Sequence, residues 1–245
     1  MSPRVTAATT LRVFDQLRRD PRTIALLIGA PLLLITLLKY VLADRPEVFD
    51  RVGGPMLGLF PFVTMFLVTS ITMLRERVTG TLERLMSMPL AKLDLLAGYG
   101  LAFAVVAAVQ ATIVAGVALL ALGLDLEGAA WLVLLLAIAN AVLGMALGLF
   151  ASAFARTEFQ AVQFMPAFIL PQVLLCGLFA PRDQMAEWLE AISYTLPLTY
   201  AYDALALVAR GADLGGAFAR DLGVVAGVTL LALALGAATL RRRTP

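Results

Sequence analysis

Residues 129–154 read AAWLVLLLAIANAVLGMALGLFASAF, a stretch with no charged side chain. About 20 apolar residues coiled as a helix cross the ~30 Å hydrocarbon core of a bilayer. The helix satisfies its own backbone amides where no water can. Working outward from this run, comparable ones recur at 23–43, 53–74, 98–122, 159–180 and 222–240, each of membrane-spanning length. The expected fold is therefore all-α and integral to the membrane, with six transmembrane helices. Composition agrees: 61% of the 245 residues are hydrophobic and 15% charged, against about 25% charged in soluble domains.

Six spans put both termini on one side, and the connecting segments then fall into two sets. One set carries thirteen cations, among them Arg4, Arg12, Arg18, Arg75, Arg77, Arg84, Arg156 and Arg241 to Arg243, against six acids, a net charge of +7. The other carries six cations and eleven acids, a net charge of −5. Cytoplasmic loops hold the excess of Lys and Arg, so both termini are expected in the cytoplasm. With 17 arginines to two lysines, the chain reads as a bacterial multi-pass protein of the cytoplasmic membrane.

Residues 1–22 precede the first span. Leu11, Phe14 and Leu17 recur there at helical spacing beside Arg12, Arg18 and Arg19, the pattern of an amphipathic helix lying at the membrane interface. Its arginines suit anionic headgroups and serve equally as a topological anchor. Pro21 ends it.

Several chemistries are excluded. The chain has no histidine and a single cysteine, Cys176, so no His/Cys metal site and no disulfide within the chain can form. No catalytic residue is expected, because every acidic residue lies in a loop or at a span end. No phosphate-binding G-x-x-x-x-G-K-[ST] string is present; Gly98-Tyr99-Gly100 lacks the lysine. A coupling-ion site near the midplane would have Lys39 as its nearest candidate, but that residue sits near a span end, where its stem can snorkel to the headgroups.

The segment from Leu74 to Pro89, LRERVTGTLERLMSMP, is dense in charge yet carries Leu82, Leu85 and Met86 at helical spacing. It is expected to form an amphipathic cytoplasmic helix within the 75–94 loop, with Glu76, Gly80 and Glu83 on one face and Pro89 as its end. The string Glu76-Arg77-Val78-Thr79-Gly80-Thr81-Leu82-Glu83-Arg84-Leu85, closed by Met88-Pro89-Leu90, resembles the cytoplasmic loop of ABC-2 type transporter permeases, especially those of daunorubicin-type and other drug-resistance exporters. Two further strings agree: Arg19-Asp20-Pro21 leading into a span with Pro31, and Leu196-Pro197-Leu198-Thr199-Tyr200-Ala201-Tyr202-Asp203 before the last span.

The resemblance covers the whole chain, 1–245, as one transmembrane domain. It implies a permease that binds no cofactor itself, working with a second permease chain, identical or related, and two ATP-binding subunits that carry ATP and Mg. It further implies that Glu76, Arg77, Gly80, Thr81, Glu83 and Arg84 touch the ATPase or brace the helix that does, and that Pro197, Tyr200 and Asp203 belong to an outer gate. It implies as well an amphipathic or hydrophobic substrate (drug, lipid or glycolipid) moved outward, with membrane lipids and not nucleic acid among its partners. An ion-coupled carrier and a non-transporting anchor for an ATPase are the alternatives.

Gln110, Asn140 and Gln172 fall near the middle of their spans, where polar groups are costly unless partnered. They either bond neighbouring helices or face a substrate cavity. Pro166 and Pro171 are expected to bend the fifth span, and Phe164 and Phe168 offer aromatic faces to an amphipathic substrate. Gly144 with Gly148, and Gly223 with Gly227, allow close helix approach. Residues 181–221 are too broken by charge and proline for a span, and Trp188, Tyr194, Tyr200 and Tyr202 suit short re-entrant or surface helices at the outer headgroups.

Overall fold

A computed structural model describes residues 3–81, 84 and 92–239. Helix α1 spans Pro3–Arg18 and stops short of Pro21. Asp20 then starts α2, Pro21–Val41: its carboxylate accepts from the Thr23 amide at 3.2 Å and the Thr23 hydroxyl at 2.6 Å. An aspartate at the cap with proline at the first helical position is the favoured start of a helix. Helix α3, Pro46–Val78, has 33 residues and is about 50 Å long. Then follow α4, Lys92–Leu120, and α5, Ala130–Ala151.

Among the described residues, five helices are long and apolar enough to cross a membrane: α2, α3, α4 from Ala97 onward, α5 and the final helix α10, Gly216–Thr239. The sixth apolar run is helical only in pieces. They are α6, Glu158–Phe164, a π-helical stretch over Met165–Ile169, and α7, Leu170–Leu175. Pro166 lies in the π stretch and Pro171 at the start of α7. A proline offers no N–H and collides with the carbonyl four residues back, and the wider π turn absorbs that misfit.

The core is the contact between α3 and α5: in the most apolar 18-residue stretch of each, 61% of the residues are buried, against 17% in the corresponding stretches of α2 and α10. Gly144 and Gly148 let the two backbones touch. A β-carbon at Gly144 would stand 2.2 Å from the Phe62 carbonyl oxygen, and one at Gly148 would stand 2.4 Å from that of Phe66. Among the described residues, a β-carbon at Gly223 or Gly227 would meet nothing within 4 Å, so the second glycine pair makes no such close contact. Phe49, Phe62, Phe66 and Leu57 of α3 and Leu143 of α5 belong to one buried apolar cluster that the other helices join.

Beyond α7 come a short 3-10 turn at Arg182–Gln184, α8 at Glu187–Ser193 and α9 at Pro197–Ala209. These elements and the first turn of α10 make up the segment expected to be broken. The link between α4 and α5 closes the same end of the bundle. Its Asp125 amide donates to Asp50 at 3.0 Å and its Glu127 amide to the Ala209 carbonyl at 3.1 Å.

At the opposite end, α1 docks on α4. Thr9 and Val13 are buried there, and the Thr10 hydroxyl reaches the Gly98 carbonyl at 3.1 Å, while Leu11 stays 65% exposed. One expectation is corrected at this end. Leu74 to Val78 do not start a separate loop helix but are the last turn of α3, and Thr79 caps it. Gly80 then turns with φ +72°, a left-handed conformation that glycine adopts without strain. Glu76 and Gly80 therefore do not share a helical face.

Candidate functional site

The candidate site grows from the end of α3. Glu76 is 4% exposed, and a buried carboxylate is unfavourable unless it is paired and hydrogen-bonded. Two side chains of α1 meet that need. Arg12 Nη1 donates to Glu76 Oε1 at 3.1 Å, and Gln16 Nε2 donates to the same oxygen at 2.8 Å. Arg12 Nη2 donates to the Tyr99 hydroxyl of α4, with the guanidinium 5.3 Å from that ring's centre. Three helices thus converge on one carboxylate.

Arg75, one residue earlier, makes a two-pronged bond with Glu158 at the start of α6, Nε to Oε1 at 2.8 Å and Nη2 to Oε2 at 3.0 Å. Both side chains are half exposed. The hydrogen bond from Arg75 holds the Glu158 carboxyl below the usual carboxylate range. Arg77 is half-buried, Gly80 makes the turn, and Thr81 and the exposed Arg84 are helical beyond it. The Thr81 and Thr79 hydroxyls lie 3.0 Å apart. Glu83 lies outside the described residues, as does the Met88-Pro89-Leu90 string.

The membrane-depth polar residues do not gather in one place. Gln110 of α4 is fully buried and donates to the Leu27 carbonyl of α2 at 2.7 Å and to the Thr64 hydroxyl of α3 at 2.6 Å. It ties three spans together. Asn140 of α5 is buried beside Gly58 of α3, with no hydrogen-bond partner for its amide among the described residues. Gln172 donates to the Phe168 carbonyl one turn earlier in its own segment, at 2.9 Å. Phe164 and Phe168 meet edge to face at 5.7 Å, and Phe168 is 56% exposed, so this ring faces out of the bundle.

At the far end Arg182 grips Asp203 with two bonds, 2.8 and 2.7 Å, and lies over the Tyr194 ring. Pro197 opens α9, and the Tyr200 hydroxyl donates to the Tyr194 carbonyl at 2.8 Å. Pro197, Tyr200 and Asp203 thus sit on one short helix tied back to α8.

Residues 4–208 match the family described as ABC-2 type transporter. The chain is an ABC-2 permease. Related proteins include ABC transporter G family member 20 of Dictyostelium discoideum, 29% identical over 156 residues, or 64% of this chain and 21% of that protein. Two more come from Escherichia coli (strain K12). The probable multidrug ABC transporter permease YbhR is 27% identical over 60% of this chain and 40% of its own length. The inner membrane transport permease YhhJ is 28% identical over 65% of this chain and 44% of its own. The matched stretch is therefore less than half of each of these relatives.

The junction in the permease brings in residues that the sequence alone does not mark as part of a site. Arg12 reads in sequence as one of the cations of a surface helix, Tyr99 stands only within a glycine pair, and Gln16 carries no reading of its own. The signal that could have found them is the run of polar side chains on α1 at positions 9, 12 and 16, spaced to share one face. That face needed a polar partner, and Glu76 was available at the end of a neighbouring span.

Proposed function

We propose that the permease is the membrane subunit of an ATP-driven exporter in the bacterial cytoplasmic membrane, with both termini in the cytoplasm. A separate subunit, present in two copies, binds ATP and Mg and docks on the turn after α3. A second permease chain, the same or a relative, completes the path, and the broken run over 158–175 makes the sixth pass. The cargo is an amphipathic or hydrophobic drug, lipid or glycolipid.

The observation that carries this reading is the junction at Arg75 and Glu76. A partner's ATP-driven closure does mechanical work on a membrane protein only if its contact surface is fixed to elements that move together. The docking turn at Gly80 follows directly on two residues that bond α1 and α6. A push on the turn therefore reaches α1, α3, α4 and α6 without first being lost in side-chain slack. The net positive charge of the segments at this end supports the cytoplasmic assignment.

The test is ATP hydrolysis by the permease and its ATP-binding protein, purified together and placed in lipid nanodiscs. Stable association and hydrolysis that rises with added amphiphiles is the expected result. A permease that associates with no ATPase and transports under an ion gradient alone would overturn the reading in favour of an ion-coupled carrier.

A further inference from the structure

Between α1, α2 and the second half of α3 lies a cavity of about 700 Å³, within the ~300–1,000 Å³ range of small-molecule sites. Its walls change character along its length. Leu26, Ala30, Leu67 and Ile71 line one part, and Asp20, Gln16, Thr23 and Thr79 line the other. Asp20 and Ala30 stand about 15 Å apart along α2, half the thickness of a ~30 Å hydrocarbon core. The cavity thus reaches one leaflet deep. Leu26 lines it and is 69% exposed, so it opens sideways past α2 toward lipid.

Three charges border the polar part. Arg12 neutralises Glu76, and Glu158 occupies Nε and Nη2 of Arg75. Asp20 differs from both. Its carboxylate accepts from the amide and hydroxyl of Thr23 and from the Arg22 amide, all neutral donors, and it has no ion-pair partner within 4 Å among the described residues. The Thr23 bonds, with a weaker attraction from Arg75, keep its carboxyl below the usual range, so it is charged at neutral pH.

We propose that this cavity binds an amphiphile bearing an ammonium head, with the head against Asp20 and the apolar body between α2 and α3. The inference rests on the export reading for its role, that of taking a molecule from the inner leaflet. An aminophospholipid and a free alkylamine share this chemistry.

Native mass spectrometry of the purified full-length permease tests the site with a 1:1 mixture of phosphatidylethanolamine and phosphatidylglycerol of equal chain length. One tightly held lipid is expected, with phosphatidylethanolamine favoured up to ~5-fold, the ratio given by a partly exposed ion pair. Asp20→Asn keeps a good helix cap and should abolish the preference. Ala30→Trp fills the cavity and should remove the lipid. Equal lipid ratios in wild type and Asp20→Asn, or undiminished lipid in Ala30→Trp, would overturn the proposal.

Dodecylamine added to the permease and ATPase together, in nanodiscs of phosphatidylglycerol alone, separates the two sources. A rise in hydrolysis identifies a transported amine, and no rise alongside a retained lipid preference identifies a resident lipid. Lipid binding is read on the permease alone, so failure of the ATPase to associate would sink the export reading and leave this one standing.

Discussion

Arg12 of α1 and Glu76 of α3, 64 positions apart in sequence, form an ion pair at 3.1 Å in which the carboxylate is almost wholly buried. Breaking a buried pair from one side leaves a charge without compensation. Arg12→Ala should therefore lower stability by about 3 kcal/mol. Adding Glu76→Gln, which removes the stranded charge, should recover much of that loss. Thermal unfolding of the four variants in detergent measures the coupling, and additive losses would show that the pair is not a unit.

The two glycine pairs should behave differently. Gly144→Ala drives a methyl group into the Phe62 carbonyl, and overpacking of this kind costs about 1–3 kcal/mol. Gly223→Ala meets nothing within 4 Å among the described residues and should leave monomer stability unchanged. Comparing melting temperatures of the two variants decides whether the α3–α5 contact is as tight as the geometry requires.

Arg182 and Asp203 fasten the segment before the last span. Arg182→Ala should speed amide hydrogen exchange across α8 and the start of α9. Arg182→Lys should give an intermediate result, because an ammonium cannot reproduce the two parallel bonds of a guanidinium. Exchange rates in residues 186–200 that do not change in either variant would argue against this clasp.

The Arg75–Glu158 pair predicts a pH dependence. Its Arg75 bond lowers the Glu158 carboxyl in the folded state, so the pair adds stability above the unfolded value of about 4.3. That stability is lost as pH falls through the lower folded value. Both groups are half exposed, so the effect is small, within ~1 kcal/mol. Wild type should melt slightly above Arg75→Gln at pH 7, and the gap should narrow as pH falls below the unfolded carboxylate value and close once Glu158 is protonated in the folded state. A gap that persists there would mean that Arg75 acts through something other than Glu158.

Glu83→Lys bears on ATP coupling. The folded permease should survive this change, since Glu83 lies in the loop expected to meet the ATPase. Transport should fall while ATP hydrolysis continues, and unaltered transport in proteoliposomes would remove that residue from the coupling role.

Much of the fold was legible because crossing a bilayer imposes a length and a polarity that few sequences meet by accident. The run at 129–154 contains α5, and the run at 23–43 differs from α2 by two residues at each end. Where the reading stopped short, tertiary contact was responsible. The second apolar run closes at residue 74, yet α3 continues through Arg75 to Val78. Its buried Glu76 is neutralised by a helix some 60 residues away, which no local pattern announces. The prolines at 166 and 171 signalled a bend but not the π turn that accommodates it. Gln110, Asn140 and Gln172 were recognisable as costly polar groups, but whether a partner stood across from each depended on how the spans were arranged.

Arg75 and Glu76 are consecutive, so their side chains leave α3 on bearings about 100° apart. One bearing is anchored to α6 and the other to α1. Turning α3 about its axis lengthens at least one of these pairs, the exposed one yielding more easily than the buried one, and tilting its end pulls on both neighbours. The end of α3 is thus tied to α1 and α6 together rather than to either alone.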